Sequence, residues 1–146
     1  MAAADAAAVE EAGIEESSGF KPETGTSNLP RMKLARLIPM LPVRSMPDSI
    51  AFYQRLGFTV ENRNDSWGWA MLRQDDCRIM VDQSINTHPH APRSGVLYLY
   101  PDDIIAYHAQ VRAAGITIPD LEVTFYGLTE FRLDDPDGNR LWIGKG

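Results

Sequence analysis

The sequence predicts an α+β fold of two tandem βαβββ modules, a mixed sheet with one concave face. Three observations lead there. The order strand, helix, three strands occurs twice between residues 36 and 145. The glycines that close the two helical stretches, Gly57 and Gly115, lie 58 residues apart, and SIAFYQRLGF overlies YHAQVRAAGI at that offset with small or apolar residues in register. Within each strand the residues also sort by parity into an aliphatic face and an aromatic, charged one.

The first module spans 36–84. It opens with a strand over 37–43 (LIPMLPV), then a helix over 47–57. Pro47 suits a first helical turn, Ile50, Phe52, Tyr53 and Leu56 recur at helical spacing, and Gly57 stands where a left-handed residue ends a helix. Strands over 59–63, 67–73 and 78–83 follow. After the linker INTHPHAPRS the second module, 94–145, repeats the order: strand 95–100, helix 102–114 closed by Gly115, strands 122–126, 129–133 and 140–144. Asp135, Pro136, Asp137 and Gly138 between the last two strands predict a tight turn, because Pro presets φ at the second position and Gly suits the fourth.

The composition bounds what such a domain can do. With 146 residues, 44% hydrophobic and 23% charged, the chain is a globular domain rather than a fibre or a wholly unfolded polymer. No apolar run approaches the roughly 18 residues a spanning helix needs, so no membrane partner is expected. A single cysteine, Cys77, excludes an intrachain disulfide and a multi-thiolate zinc site and is consistent with a cytoplasmic protein. The net charge of -6 argues against nucleic acid, whose phosphates require clustered Lys and Arg. That charge is uneven: residues 1–30 hold six acids and one base, leaving 14 acids against 13 bases in the rest. Residues 1–33 therefore read as a disordered acidic tail before a domain over 34–146.

The parity split assigns the faces. Leu37, Leu41, Val43, Ala70, Leu72, Ile79, Val81, Leu97, Leu99, Phe131, Leu133, Leu141 and Ile143 are expected to cover the helices. The other face collects Ile38, Met40, Trp67, Trp69, Met71, Arg78, Met80, Asp82, Val96, Tyr98, Tyr100, Glu130, Arg132, Arg140 and Trp142. An aromatic and charged sheet face is either a ligand pocket floor or a surface covered by a partner subunit.

The two βαβββ units, the LPVRSMPDSIAFYQRLGF and WGWAMLRQDDCRIMVDQ segments and the closing YGLTEFRLDDPDGNRLWIG resemble the vicinal oxygen chelate superfamily. That group contains glyoxalase I, extradiol dioxygenases and bleomycin resistance proteins, and the similarity is nearest to the last. The resemblance implies the glyoxalase/bleomycin resistance fold. Its metalloenzymes place His, Gln or Glu ligands in the first and last strand of each module, positions that correspond to Ile38, Asp82, Val96 and Trp142. Only Asp82 is a metal donor, and the neighbours Leu37, Leu97 and Leu141 offer none. A glyoxalase-type centre is therefore not expected, nor is any cofactor.

Resemblance to the bleomycin resistance proteins implies a homodimer that sequesters a planar antibiotic between aromatic rings without turnover. Tyr126, before Gly127, aligns with a ring-stacking aromatic. Trp67, Trp69 and Tyr98 supply opposing surfaces, and Asp82 and Glu130 are the candidate partners for a ligand cation. The alternative is a metal-dependent superfamily enzyme, of the lactoylglutathione lyase or dioxygenase type, with a divergent site around Asp82. His88 and His90 in the linker lack a third donor, mid-helix His108 has no identifiable catalytic partner, and Cys77 has no base or helix N-terminus to activate it. All four read as structural.

Overall fold

The computed structural model describes residues 32–145; the acidic extension expected over 1–33 lies, up to residue 31, outside the described residues. From Pro39 onward the chain forms one compact unit. Its elements are β1 (Met40–Pro42), α1 (Met46–Arg55), β2 (Thr59–Asn64), β3 (Trp69–Gln74), β4 (Cys77–Asp82), β5 (Val96–Leu99), α2 (Ile104–Ala113), β6 (Glu122–Val123), β7 (Thr129–Asp134) and β8 (Arg140–Lys145). The βαβββ order occurs twice, as the sequence predicts.

Each module makes its own four-stranded sheet, β1-β4-β3-β2 and β5-β8-β7-β6. The first and last strands of a module pair in parallel and the other neighbours antiparallel. A parallel pair needs a long crossover, which α1 or α2 and the intervening strands provide. Both helices start on a side-chain cap. Ser45 Oγ accepts from the Asp48 amide at 3.2 Å, and Asp103 Oδ1 accepts from the Ala106 amide at 3.0 Å. Both end before a glycine at positive φ, Gly57 at 105° and Gly115 at 95°.

The aliphatic parity forms the core. Val43, Ala70, Leu72, Ile79, Val81, Phe131, Leu141 and Ile143 are buried with Ile50, Tyr53 and Leu56 of the first helical stretch and Val111 of α2, in a single cluster that joins both modules. Leu37 departs from the expectation. It is exposed and precedes β1, as does Ile38. The strand expected over 37–43 is confined to Met40–Pro42, and Pro39 just before it has no amide hydrogen to extend the ladder.

The DPDGN turn does more than reverse the chain. Gly138 takes φ 85° and its amide donates to the Asp135 carbonyl at 3.0 Å. Asp135 and Asp137 are nevertheless buried. Asp135 Oδ1 accepts from the amides of Asp137 and Asn139, at 2.9 and 2.8 Å, while Oδ2 accepts the Tyr53 hydroxyl of α1 at 2.6 Å. Asp137 Oδ1 accepts from the backbone and Nε of Arg44, at 2.9 and 3.0 Å. The turn of the second module is thus bolted to the entry of α1 in the first. Burial, with the Asp135 carboxylate beside it, holds the Tyr53 hydroxyl far above its ordinary titration range. Tyr107 of α2 completes the junction by donating to the Leu56 carbonyl at 2.7 Å.

Candidate functional site

The faces turned away from the core can be read row by row from the strand registers. In the second module, Tyr98 of β5 lies opposite Trp142 of β8, which lies opposite Arg132 of β7. One step along, Gly144 lies opposite Glu130, which lies opposite Glu122. Side chains in register on one face touch, and here they form a closed polar network.

Glu130 is its centre, a carboxylate with 1% of its surface exposed. Oε1 accepts from the Tyr98 hydroxyl at 2.6 Å, and Oε2 from Arg132 Nε at 3.0 Å. The Tyr126 hydroxyl lies 2.8 and 2.9 Å from the two carboxylate oxygens and itself accepts from Arg132 Nη2 at 2.9 Å. Burial works to raise the Glu130 pKa, but the three donors and the guanidinium charge outweigh it and hold the carboxyl below its usual range. Reciprocally, the hydrogen bond to Glu130 strengthens the charged form of Arg132. Burial first, then its bond to Glu130, pushes the Tyr98 hydroxyl up.

Rings surround this network. Arg132 Cζ sits 3.6 Å from the centre of the Trp142 ring. Tyr98 meets Trp142 edge-on at 5.9 Å and stacks on Tyr100 at 4.8 Å, 12° from parallel. Gly144 makes room: a Cβ there would stand 3.1 Å from Glu130 Cβ and 3.2 Å from the Tyr98 hydroxyl. Tyr126 reaches Glu130 because the strand expected over 122–126 ends at Val123. A turn then closes through the Gly127 amide to the Thr124 carbonyl at 3.0 Å, with Gly127 at φ 88°. Phe125 stands fully exposed on the same turn.

The first module places its residues differently. Met40, Met80 and Met71 lie side by side across β1, β4 and β3, and in the next row Pro42, Asp82 and Trp69. Trp69 and Asp82 are buried, at 1% and 0% exposure. Asp82 Oδ1 accepts from the backbone and hydroxyl of Ser84, each at 2.8 Å, while among the described residues Oδ2 has no hydrogen-bond partner, nor has Trp69 Nε1. Trp67 falls in the turn before β3, where its amide donates to the Asn64 carbonyl at 3.1 Å, and its ring is 40% exposed.

Two groups of the expected site residues therefore emerge. Tyr98, Tyr126 and Glu130 share one network in the second module; Trp69 and Asp82 face each other across β3 and β4 in the first, with Trp67 on the adjoining turn. Trp69 offers no open ring face in this conformation, and the Glu130 carboxylate is already engaged by Arg132. Sequence reasoning put Arg132 and Trp142 on this face, Trp142 only as a superfamily ligand position that lacks a donor, and did not single out Gly144; the i, i+2 spacing of Glu130 and Arg132 on one strand is the available signal for the ion pair.

Of the four superfamily ligand positions only Asp82 carries a metal donor. Asp82 lies opposite Pro42, Val96 opposite Arg140 and Trp142 opposite Tyr98, while Ile38 precedes β1. Among the described residues no three His, Cys, Asp or Glu side chains gather into a metal-binding group. A donor set of one carboxylate does not fit a glyoxalase-type metal. His88 and His90 are exposed in the linker, and Cys77 is free and exposed. His108, by contrast, is buried. Its Nε2 lies 2.7 Å from the Pro119 carbonyl, so that nitrogen carries the hydrogen, and its ring packs edge-on against Phe131 at 4.8 Å.

A family model described as the glyoxalase/bleomycin resistance protein/dioxygenase superfamily matches residues 34–143. The chain belongs to that superfamily. Among solved structures it is similar to a bleomycin resistance determinant encoded on the transposon Tn5, with 28% identity, 76% of this chain and 97% of that chain covered, and a TM-score of 0.65. A bleomycin-binding protein complexed with bleomycin is similar to the same extent: 28% identity, coverage of 76% and 98%, and a TM-score of 0.65. The lactoylglutathione lyase of Agrobacterium tumefaciens shares the fold at 17% identity, over 80% of this chain and 96% of that one, with a TM-score of 0.62. No curated protein matches the chain. Among the described residues of this superfamily member, no helix is long and apolar enough to cross a membrane.

Proposed function

We propose that the protein is a metal-independent binding protein that sequesters a planar antibiotic of the bleomycin type, as a cytoplasmic homodimer. The observation that carries this reading is the second module's face. Tyr98 and Tyr100 are stacked, Tyr126 and Tyr100 expose ring surface, and the hydroxyls of Tyr98 and Tyr126 are tied to Glu130. Fixed rings are what a stacking site requires, since little side-chain freedom is lost when a flat ligand arrives. Tyr98, Tyr126 and exposed Trp67 serve as the stacking surfaces, whereas Trp69 is buried beside Asp82 in the first module. A ligand cation drawn by Glu130 competes with Arg132 for that carboxylate, and Asp82 is wholly buried in the first module, so stacking dominates over charge. Likeness to the bleomycin-binding protein supports the choice of probe.

The test is a titration of copper-free and copper-loaded bleomycin into chelator-treated protein, followed by tryptophan fluorescence. Saturable quenching at one ligand per chain, with a micromolar or tighter Kd, is expected. Tyr126→Ala should weaken it by about threefold to tenfold, since one stacked ring contributes about 0.5–1.5 kcal/mol. Absence of binding overturns the reading, as does binding or turnover that returns only when zinc, nickel or iron is restored.

A further inference from the structure

The first module's outer face carries a chemistry that stacking does not use. Met40, Met80 and Met71 occupy directly paired positions on three adjacent strands, Met40 opposite Met80 and Met80 opposite Met71. All three point away from the core: their chain neighbours Leu41, Ala70, Leu72, Ile79 and Val81 are the residues that pack into it. Met71 is buried and the other two are half-buried. Paired positions on one face bring Cβ atoms to about 5 Å, and the unbranched thioether stem is long and flexible enough to let three sulfurs converge over the central one.

A second, independent feature borders this ladder. Asp82 follows Met80 by two residues on the same face and is wholly buried, with Oδ2 lacking any hydrogen-bond partner among the described residues. A buried carboxylate oxygen left unpaired is costly, and a cation beside it removes the cost. Hard divalent ions want several oxygens and zinc wants nitrogen or thiolate, whereas thioethers select soft ions.

We propose that this face binds one soft monovalent cation, Cu(I) or its surrogate Ag(I), through the sulfurs of Met40, Met71 and Met80, with Asp82 balancing its charge. The three thioethers are neutral, so one carboxylate leaves the site without net charge when filled. This site lies in the other module from the aromatic network and stands or falls independently of bleomycin binding.

The experiment is anaerobic competition for Cu(I) against bicinchoninate, with isothermal titration of Ag(I) alongside. One ion per chain is expected, with an X-ray absorption spectrum showing a thioether-sulfur shell. Met80→Leu, which conserves volume, should weaken binding at least tenfold while leaving the melting temperature within a few degrees. Asp82→Asn should weaken it severalfold at unchanged stoichiometry, and Cys77→Ser should leave it unchanged. Because thioethers take up no proton, the binding should persist at pH 5, where thiol and imidazole sites release their metal. Binding abolished by Cys77→Ser, or retained in both Met80→Leu and Met40→Leu, overturns the proposal, as does failure to compete at micromolar Cu(I). Should Met80→Leu unfold, Met40→Leu on the edge strand carries the same test.

Discussion

The two modules share one backbone plan and use it in opposite ways. Met40, Met80 and Met71 stand in the first where Tyr98, Trp142 and Arg132 stand in the second. One row along, Asp82 opposite Trp69 corresponds to Gly144 opposite Glu130. Each row thus holds one fully buried carboxylate, Asp82 or Glu130, but on different strands and with different company. In the second module three donors surround Glu130, and a glycine opposite lets the Tyr98 ring reach it. In the first, Asp82 stands in the glycine's place with a tryptophan where Glu130 would be, and one Asp82 oxygen has no partner among the described residues. A fold that repeats need not repeat its chemistry: the pattern of burial is conserved between the halves, and what is buried is not.

That contrast can be broken most forcefully at Trp69. It is the largest fully buried side chain among the described residues, and truncating it removes its packing and leaves a void. Trp69→Ala is expected to cost about 4 kcal/mol in urea unfolding. A cost below about 1 kcal/mol would mean that the indole does not hold the first module's face together. At the corresponding position, Glu130→Gln should cost about 2 kcal/mol at neutral pH, because an amide cannot satisfy two hydroxyls and a guanidinium at once. The pH dependence sharpens the test. A carboxyl held below its ordinary pKa contributes stability above the unfolded value and loses it as pH falls through the folded one. The gap between wild type and Glu130→Gln should therefore stay constant from pH 7 to 5 and close only in acid below the usual glutamate range, near pH 4.3. A gap that closes above pH 5 would show that Glu130 is not held ionised by its donors.

A smaller effect probes the junction between the halves. Tyr53→Phe removes one of the donors to Asp135 while three backbone or side-chain donors within the turn remain. The expected loss is about 1.5 kcal/mol, and hydrogen exchange should quicken in both modules together. Faster exchange confined to the second module would mean that the turn does not couple them.

Much of this fold was legible because its signals are local. Pro47, Gly57 and Gly115 mark helix ends by their own backbone preferences, and parity marks the core by alternation. The register of Tyr98 with Trp142 and of Met40 with Met80 was not legible, since pairing is set by residues far apart in the chain. The DPDGN segment shows the limit well. Its turn geometry is written in Pro136 and Gly138, but the burial of Asp135 follows only from Tyr53, 82 residues earlier. Likewise Tyr126 was identified by its likeness to a stacking aromatic, whereas its bond to Glu130 depends on a turn at Gly127 that cut the expected strand short. Similarly, β1 begins only after Pro39 and leaves Ile38 out of it.

The smallest expected change is the most informative about the first module. Asp82→Asn keeps a carbonyl oxygen to accept from the Ser84 amide and hydroxyl, and exchanges an unpaired charged oxygen for an uncharged amide of the same size. In the second module such a swap breaks a saturated network; in the first it removes a burden. The metal-free protein should accordingly be unchanged or stabilised by up to about 1 kcal/mol, because an unpaired buried charge opposes folding. The sign is the point of the measurement. Destabilisation comparable to Glu130→Gln would mean that Asp82 is as fully partnered as its counterpart, through ordered water, and the asymmetry between the halves would then lie in which partners they use, not in whether the charge is satisfied.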